Sequence, residues 1–232
     1  MEGWCFVHIQ TIPILLILFF QLLSPAGHYG ELISEDQADA VTSRLKLTVT
    51  EKEPAKEGIL CFDVDEDARI ALGTKSHGRN WISIYDSNMV FQYAISFRSE
   101  GSFLVFLEKD HIWLFLIRGN LCIEIDHTGQ PVGVWQLEDY ASSIAPLMEK
   151  GQVYSREVNG TVYKLRNELS ILNLTGKYSL LVMSSAEGGE RILYDVSETM
   201  SLRFWFSLIL SLCLLVLTGG VVMYQREKKK NH

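Results

Sequence analysis

A run of 20 residues without a charge, from Phe204 to Met223, constrains this chain more than any other feature. At about 1.5 Å of rise per residue, a helix of that length spans roughly 30 Å, the hydrocarbon thickness of a bilayer. The basic residues that follow the run are Arg226, Lys228, Lys229 and Lys230, against Arg203 alone before it. Because basic residues stay on the cytoplasmic side, the pattern predicts one transmembrane helix with a cytoplasmic C-terminus.

The N-terminus is also apolar, and two interpretations fit it. The stretch from Ile12 to Leu23 has the length of a signal-peptide core, and small residues fit cleavage after Ala26. The residues before that core include Glu2 and no Lys or Arg, which is unusual for a signal peptide. An uncleaved anchor from Trp4 to Leu23 is the alternative. Both interpretations place the segment between the two apolar ends outside the cytoplasm.

Acidic residues outnumber basic ones, and the basic tail makes the middle of the chain more acidic still. The chain has 28 Asp and Glu against 21 Lys and Arg, for a formal net charge of −7. An acidic surface repels phosphate, so we expect no nucleic-acid partner. Two apolar ends around an ordinary globular middle also argue against a purely cytosolic protein, a multi-span transporter and a disordered chain.

The middle of the chain reads as a series of short strands that repeats. Residues 59–97 and 102–137 share one order of features: strand, acidic turn, strand, loop, strand, Asp-led turn and strand. A looser third unit covers residues 152–196 and again contains four strands. The sequence therefore predicts three units of the same kind.

Turn residues support this division. When the first two units are aligned, Asp67 matches Asp110 and Asp86 matches Asp126. Asp and Gly at such positions serve the backbone of a turn. In the third unit, Asn159-Gly160 between two alternating stretches predicts a tight β-hairpin.

Four-stranded units that recur about every 40–50 residues are typical of β-propeller blades. We therefore predict an all-β fold of blade-like, four-stranded antiparallel units, together with the C-terminal transmembrane helix and an N-terminal hydrophobic helix. Three blades are too few to close a ring, so a partial propeller would have to dimerise or cap its edges. The alternative is a β-sandwich of about 10–12 strands, in which the self-similarity reflects only alternation and turns.

The predicted organisation has five segments. They are a signal peptide or uncleaved anchor (1–26), a polar linker with a lead strand at Arg44 to Thr50 (27–57), the extracytoplasmic β domain (58–202), the transmembrane helix (203–224) and a basic cytoplasmic tail (225–232).

Cys61 and Cys122 are the two cysteines of the predicted exported domain. One disulfide between them is compatible with an oxidising compartment. A domain of this size folds without one, so the sequence leaves pairing open.

Three features matter only in a eukaryotic host. Asn159 and Asn173 begin Asn-x-Thr sequons, which are glycosylated in the secretory pathway. The last four residues, from Lys229 to His232, also match a dilysine retrieval signal of endoplasmic-reticulum type I membrane proteins. We favour the interpretation of the same lysines as the positive flank of a membrane helix.

Several stretches between Ile59 and Val196 resemble a group of bacterial proteins, chiefly from clostridia-like Gram-positives. The stretches are IALGTK, NWISIYDSNMVFQYAISF, GSFLVF, IWLFLIRGN, REVNGTVYKLRNELSILN and RILYDV. The resemblance covers about 140 of 232 residues and implies a propeller-like β domain followed by a C-terminal membrane helix. It implies no chemistry, because the group has no assigned activity. The chain departs from the group at residues 111–113 and 130–131 and in its apolar N-terminus.

No catalytic motif or metal-ligand set stands out. Asp63, Asp65 and Asp67 match the first half of a calcium loop, which would then need Gly and Glu where Ala68 and Thr74 stand. We interpret these residues as an acidic turn. The histidines and the remaining carboxylates lack the spacing of a zinc site or of a catalytic pair. We therefore expect no enzyme and no cofactor.

These features predict a membrane-tethered extracytoplasmic domain that binds or senses without catalysing a reaction, at the plasma membrane. Its expected partners are the membrane, a protein or small ligand outside the cytoplasm, and a second copy of the chain. Two alternatives stay open. One is an endoplasmic-reticulum type I membrane protein with a role in lumenal assembly, and the other is a hydrolase with a dispersed site.

Overall fold

The computed structural model describes residues 30–137, 154–169, 176–185 and 188–230, with side chains described through Leu214 and at Thr218. Across these residues fourteen strands form three antiparallel sheets, so the expected mostly β architecture is confirmed. The elements are β1 (Glu31–Leu32), α1 (Glu35–Leu45), β2 (Thr48–Thr50), β3 (Ile59–Val64), β4 (Ile70–Ser76), β5 (Arg79–Tyr85), β6 (Phe91–Phe97), β7 (Phe103–Glu108), β8 (His111–Leu116), β9 (Leu121–Ile125), β10 (Pro131–Gln136), β11 (Ser155–Val158), β12 (Thr161–Arg166), β13 (Leu180–Ser185), β14 (Gly189–Asp195) and α2 (Ser197–Lys230).

Each predicted four-stranded unit forms one sheet. Sheet I has the order β2-β6-β5-β4-β3, sheet II the order β1-β10-β9-β8-β7, and sheet III the order β11-β12-β13-β14. The short strands β1 and β2 each add a fifth strand to the outer edge of a four-stranded meander. The alternative of a two-sheet sandwich does not describe this arrangement, because the described residues form three layers.

Sheet I is the middle layer. Its strands are buried on both faces, and consecutive residues point to opposite sides, as in any strand. Cys61 belongs to the apolar cluster shared with sheet II, whereas Phe62 belongs to the cluster shared with sheet III. Sheet III thus packs on the first unit of the chain rather than on the second, which precedes it in sequence.

The turns confirm the alignment of the first two units. The Asp86 Oδ1 atom accepts hydrogen bonds from the backbone amides two and four residues further on, at 2.9 and 2.8 Å. The Asp126 Oδ1 atom accepts the equivalent bonds at 2.8 and 2.9 Å. The predicted hairpin is also confirmed: β11 pairs with β12 around Asn159 and Gly160, whose φ angles of 50° and 73° suit a tight hairpin turn.

The segment before β3 differs from the prediction. Part of the expected polar linker forms α1, and the lead strand predicted for Arg44 to Thr50 is reduced to β2. Acidic residues in the first turn and Arg44 in the last turn complement the helix dipole, and Lys46 ends the helix in a left-handed conformation. The buried Leu45 and the half-buried Val41 attach this otherwise polar helix to the core.

Helix α2 begins directly after β14 and contains the charge-free run predicted as a transmembrane helix. Over the residues that the structure describes, no helix is both long and apolar enough to cross a membrane. The predicted N-terminal helix with Ala26, the sequon residue Asn173, and the side chains of Arg226 and Lys228 to Lys230 lie outside the described residues.

Candidate functional site

Three strands from three sheets meet along one line. Strands β3, β7 and β11, here called the inner strands, are edge strands of sheets I, II and III, and β3 contacts both of the others. A cavity lies where these strands begin, and charged turns lie where they end. The line therefore has two chemically different ends.

The cavity, here called the junction pocket, has a volume of about 570 Å³. That size is within the usual range for small-molecule sites, roughly 300–1,000 Å³. Strands of sheets I and II, their connecting loops and the segments that flank the strands of sheet III contribute to its wall. The described lining residues are Leu60, Lys75, Gly101, Ser102, Phe103, Leu104, Ile117, Tyr154, Gly176 and Tyr178.

Two tyrosines form one wall of the pocket. The rings of Tyr154 and Tyr178 lie 5.5 Å apart with an angle of 57° between their planes. Backbone hydrogen bonds of 2.8 Å in both directions between Tyr178 and Ile59 fix this wall to the start of β3. Burial raises the pKa of Tyr178, so its phenol keeps its proton at neutral pH and remains a hydrogen-bond donor.

Lys75 supplies the charge of the pocket. It lies near the end of β4, and its side chain is exposed. The described lining contains no Asp or Glu beside it. The pocket thus combines apolar and aromatic surface with one ammonium group.

Two glycines of the pocket lining adopt backbone conformations that favour glycine. Gly101 and Gly176 have φ angles of 94° and 64°, which non-glycine residues rarely adopt. A Cβ atom at Gly101 would also lie 3.1 Å from the Arg118 side chain. The rim therefore depends on glycine at these positions.

Asp63, near the end of β3, links the three sheets. Its Oδ2 atom accepts a hydrogen bond of 2.8 Å from the backbone amide of Leu107 in sheet II. Its Oδ1 atom lies 3.3 Å from Nε of Arg156 in sheet III. Burial raises the pKa of Asp63 to about 6, and Arg156 opposes that shift. A carboxylate is thus held at the centre of the molecule at a cost in stability at neutral pH.

The far end of the inner strands carries the acidic turn predicted from sequence. The Asp65 Oδ1 atom accepts backbone hydrogen bonds from Asp67 at 3.0 Å and Arg69 at 2.8 Å, and its Oδ2 atom accepts one from Arg69 Nε at 2.7 Å. Arg69 also donates to the carbonyl of Lys109 in the turn between β7 and β8. The predicted acidic turn is therefore present at Asp65 and Asp67, whereas Asp63, which the prediction included, is a buried residue of β3.

Cys61 and Cys122, the pair considered for a disulfide, are free thiols in this structure. They lie on strands of different sheets, and each is buried among apolar side chains. Burial raises the pKa of Cys61 to about 12 and also raises that of Cys122. Both residues act as small apolar core residues in this structure.

Asn159, the described sequon residue, is exposed in the β11–β12 turn. Its Nδ2 atom donates a hydrogen bond of 3.0 Å to the carbonyl of Glu66 in the acidic turn of sheet I. The side chain therefore links two sheets at the far end of the inner strands.

Sequence reasoning missed the pocket and the central ion pair. Lys75, Tyr154 and Tyr178 lie far apart in the chain, and no motif joins them. Asp63 did carry a signal: it is the only charged residue in the buried strand ILCFDV. A carboxylate at such a position needs a partner, which the structure identifies as Arg156.

No family model and no curated protein matches this chain. Among solved structures, virginiamycin B lyase from Staphylococcus aureus aligns with 65% of this chain and 46% of its own, at 13% identity and a TM-score of 0.28. Sqt1 from Saccharomyces cerevisiae aligns with 63% of this chain and 34% of its own, at 15% identity and a TM-score of 0.27. A streptogramin B lyase structure aligns with 65% of this chain and 45% of its own, at 14% identity and a TM-score of 0.28. The chain spans less than half the length of each, and these similarities assign it no function.

Proposed function

We propose that this protein is a membrane-tethered extracytoplasmic binding protein that holds a small ligand in the junction pocket. The observation that carries the proposal is the pocket itself, a cavity of about 570 Å³ with apolar, aromatic and cationic lining. Concave sites with mainly apolar walls and a few polar groups are the usual binding sites for small molecules.

We propose binding rather than catalysis for this lining. Many catalytic sites place a His, Cys, Asp or Glu beside the reacting atoms, although Lys, Ser and Tyr also serve as acids, bases or nucleophiles. The described lining offers one Lys, one Ser and two Tyr as its polar side chains. These groups are suited to orienting a ligand.

The tether is proposed from the sequence. The charge-free run lies in α2, and basic residues follow it, which supports a single-pass plasma-membrane protein with its C-terminus in the cytoplasm. The β domain would then face the outside of the cell.

A link between the pocket and the tether supports a sensing role. The Arg203 Nη1 atom, near the N-terminal end of α2, lies 2.5 Å from Glu57 Oε2. Glu57 precedes β3 by two residues, and Leu60 of β3 lines the pocket. A ligand that displaces the start of β3 would therefore also displace α2 through the ion pair between Glu57 and Arg203.

We also propose that the three sheets are blades of a partial propeller that a second copy completes. The inner strands gather around one line, as blades do around a propeller axis, and three layers leave the ring open. Light scattering of the detergent-solubilised chain, corrected for bound detergent, should give the mass of a dimer. A monodisperse monomer would contradict ring closure and leave the binding proposal intact.

The binding proposal is tested with a variant that fills the pocket from its rim. Ser102 is exposed and lines the pocket, so Ser102→Trp should block it without disturbing the core. Ser87→Trp, at an exposed turn between β5 and β6, is the matched control. In thermal-shift measurements with a panel of small organic compounds, hits should stabilise wild type and Ser87→Trp but not Ser102→Trp. Equal responses of all three proteins would refute the pocket as the binding site.

A further inference from the structure

We propose that the junction pocket selects an aromatic carboxylate, with its ring against the apolar wall and its carboxylate on Lys75. This inference rests on the proposed binding function and adds the chemical class of the ligand. It follows from three properties of the lining: the apolar floor, the tyrosine wall and the charge.

The floor of the pocket is apolar and firmly held. Phe103 and Leu104 at the start of β7 are buried, and Phe103 packs edge to face on Phe97 of sheet I with ring centroids 5.0 Å apart. Leu60 and Ile117 extend this surface. A ligand must present an apolar body to it, because a polar body would lose its water without gaining partners.

The tyrosine wall favours a planar ring. Tyr154 is 43% exposed, so much of its side chain is free for contact. Tilted aromatic pairs such as Tyr154 and Tyr178 can accept a third ring in an edge-to-face or offset arrangement. An aromatic body therefore fits this wall better than an aliphatic one.

The charge of the pocket favours a single anionic group. Within the described residues, no hydrogen bond or ion pair engages the Lys75 ammonium, and no carboxylate lines the pocket with it. Among the cations beside the lining, Arg118 is paired with Glu100 at 3.0 Å, and Lys177 is not one of the described lining residues. One available ammonium matches one carboxylate, whereas a polyphosphate would need several cations.

The experiment compares 3-phenylpropanoate with its uncharged isostere 3-phenylpropanamide. Each is titrated by calorimetry into the full-length chain in zwitterionic nanodiscs, with empty nanodiscs as the blank. Wild type should bind the carboxylate about five- to tenfold more tightly than the amide. Lys75→Met should remove this preference and leave amide binding unchanged. Lys164→Met is the matched control, an exposed lysine on β12 outside the pocket lining, and should retain the preference.

The possible failures are distinguishable. Equal affinity of wild type for the two probes, or a preference that survives Lys75→Met, would overturn the ligand class while leaving the pocket as a binding site. The absence of binding by either probe would also overturn the ligand class, and the compound panel would then test the pocket separately. Binding that survives Ser102→Trp would overturn the proposed function as well. Circular dichroism of Lys75→Met and Ser102→Trp checks that each variant keeps its β structure.

Discussion

The two faces of sheet I are held to their neighbours in different ways. The face toward sheet II is closed mainly by apolar packing, with hydrogen bonds from Leu107 to Asp63 and from Arg69 to Lys109 only where the inner strands end. A Cβ atom at Gly73 on this face would lie 2.4 Å from Cys61 Sγ and 2.9 Å from the Phe103 ring. The interface leaves no room for an added methyl group. Sheets I and II therefore behave as one tightly packed pair.

The face toward sheet III combines an apolar cluster with several hydrogen bonds and one ion pair. The Tyr194 hydroxyl accepts a hydrogen bond of 3.0 Å from the Glu57 amide and donates one of 3.1 Å to the Glu57 carbonyl. Arg156 lies beside Asp63, and Asn159 donates to Glu66. Such contacts depend on geometry and pH in a way that apolar packing does not.

Because of this difference, the floor and the tyrosine wall of the junction pocket belong to parts of the molecule that are held in different ways. Its floor belongs to the tightly packed pair, whereas Tyr154 and Tyr178 flank the strands of sheet III. We expect ligand entry to involve movement of the tyrosine wall against a fixed floor. The predictions below test the contrast between the two faces.

Phe97→Ala should have the largest effect, a loss of about 3–5 kcal/mol in the free energy of unfolding. Phe97 is fully buried between sheets I and II, and its removal leaves a cavity that tight packing cannot close. Urea denaturation followed by tryptophan fluorescence measures the change. Phe91→Ala, at a half-buried position on the same strand, is the control and should cost less than half as much. A cost below about 1 kcal/mol for Phe97→Ala would show that this face is loosely packed.

Asp63→Asn should change the pH dependence of stability. The pKa of Asp63 is raised to about 6 in the folded protein, above its ordinary value of 3.8. The protonated form is therefore favoured by folding, and this contribution to stability is complete below pH 4 and lost as pH rises through 6. Wild type should lose about 3 kcal/mol of stability from this group between pH 4 and pH 8.

The Asp63 effect is read as the difference between wild type and Asp63→Asn at each pH, which cancels the contributions of other groups. Asp67→Asn, at an exposed position in the adjoining turn, should keep the wild-type profile. A wild-type profile parallel to that of Asp63→Asn would contradict the account of the central carboxylate.

Tyr194→Phe should lower the free energy of unfolding by about 1–3 kcal/mol. The change removes one hydroxyl and leaves the buried amide and carbonyl of Glu57 without that partner. Hydrogen exchange of the Glu57 amide should quicken at the same time. Unchanged stability and exchange would show that the polar ties to sheet III contribute little.

Arg166→Ala should have the smallest effect, about 0.5 kcal/mol or less. Arg166 and Glu190 form an ion pair of 2.8 Å on sheet III, and both side chains are about half exposed. Solvent and salt screen such a pair. A loss above about 1.5 kcal/mol, measured by the same denaturation, would remove the distinction drawn here between buried and exposed charges.

Much of the fold could be predicted from the sequence, because turns and the alternation of apolar and polar residues are local properties. Asp86, Asp126 and Asn159-Gly160 marked turns that the structure confirms, and the three four-stranded units follow from them. Helix α1 was missed because its polar composition resembles a linker, and only Leu45 is fully buried.

The packing order of the sheets could not be predicted, because a repeat indicates similarity between units and not which units touch. The nearly continuous apolar run ILCFDV of β3 matches its burial on both faces, but it does not say which sheets cover it. The pocket could not be predicted for the same reason, because Lys75, Phe103 and Tyr178 come together only when the three sheets are packed. Asp63 was noticed as part of an acidic turn, while its burial and its partner are tertiary properties.

The central claim, that the junction pocket is the ligand site, is tested most directly by fluorine NMR of the 3-fluorotyrosine-labelled chain. The signals of Tyr154 and Tyr178 are assigned by single substitutions to Phe and followed during titration with 3-phenylpropanoate. The account predicts that both signals shift in a saturable manner, while that of Tyr194, which does not line the pocket, stays in place. Saturable shifts confined to other tyrosines, or no shift at all, would contradict it.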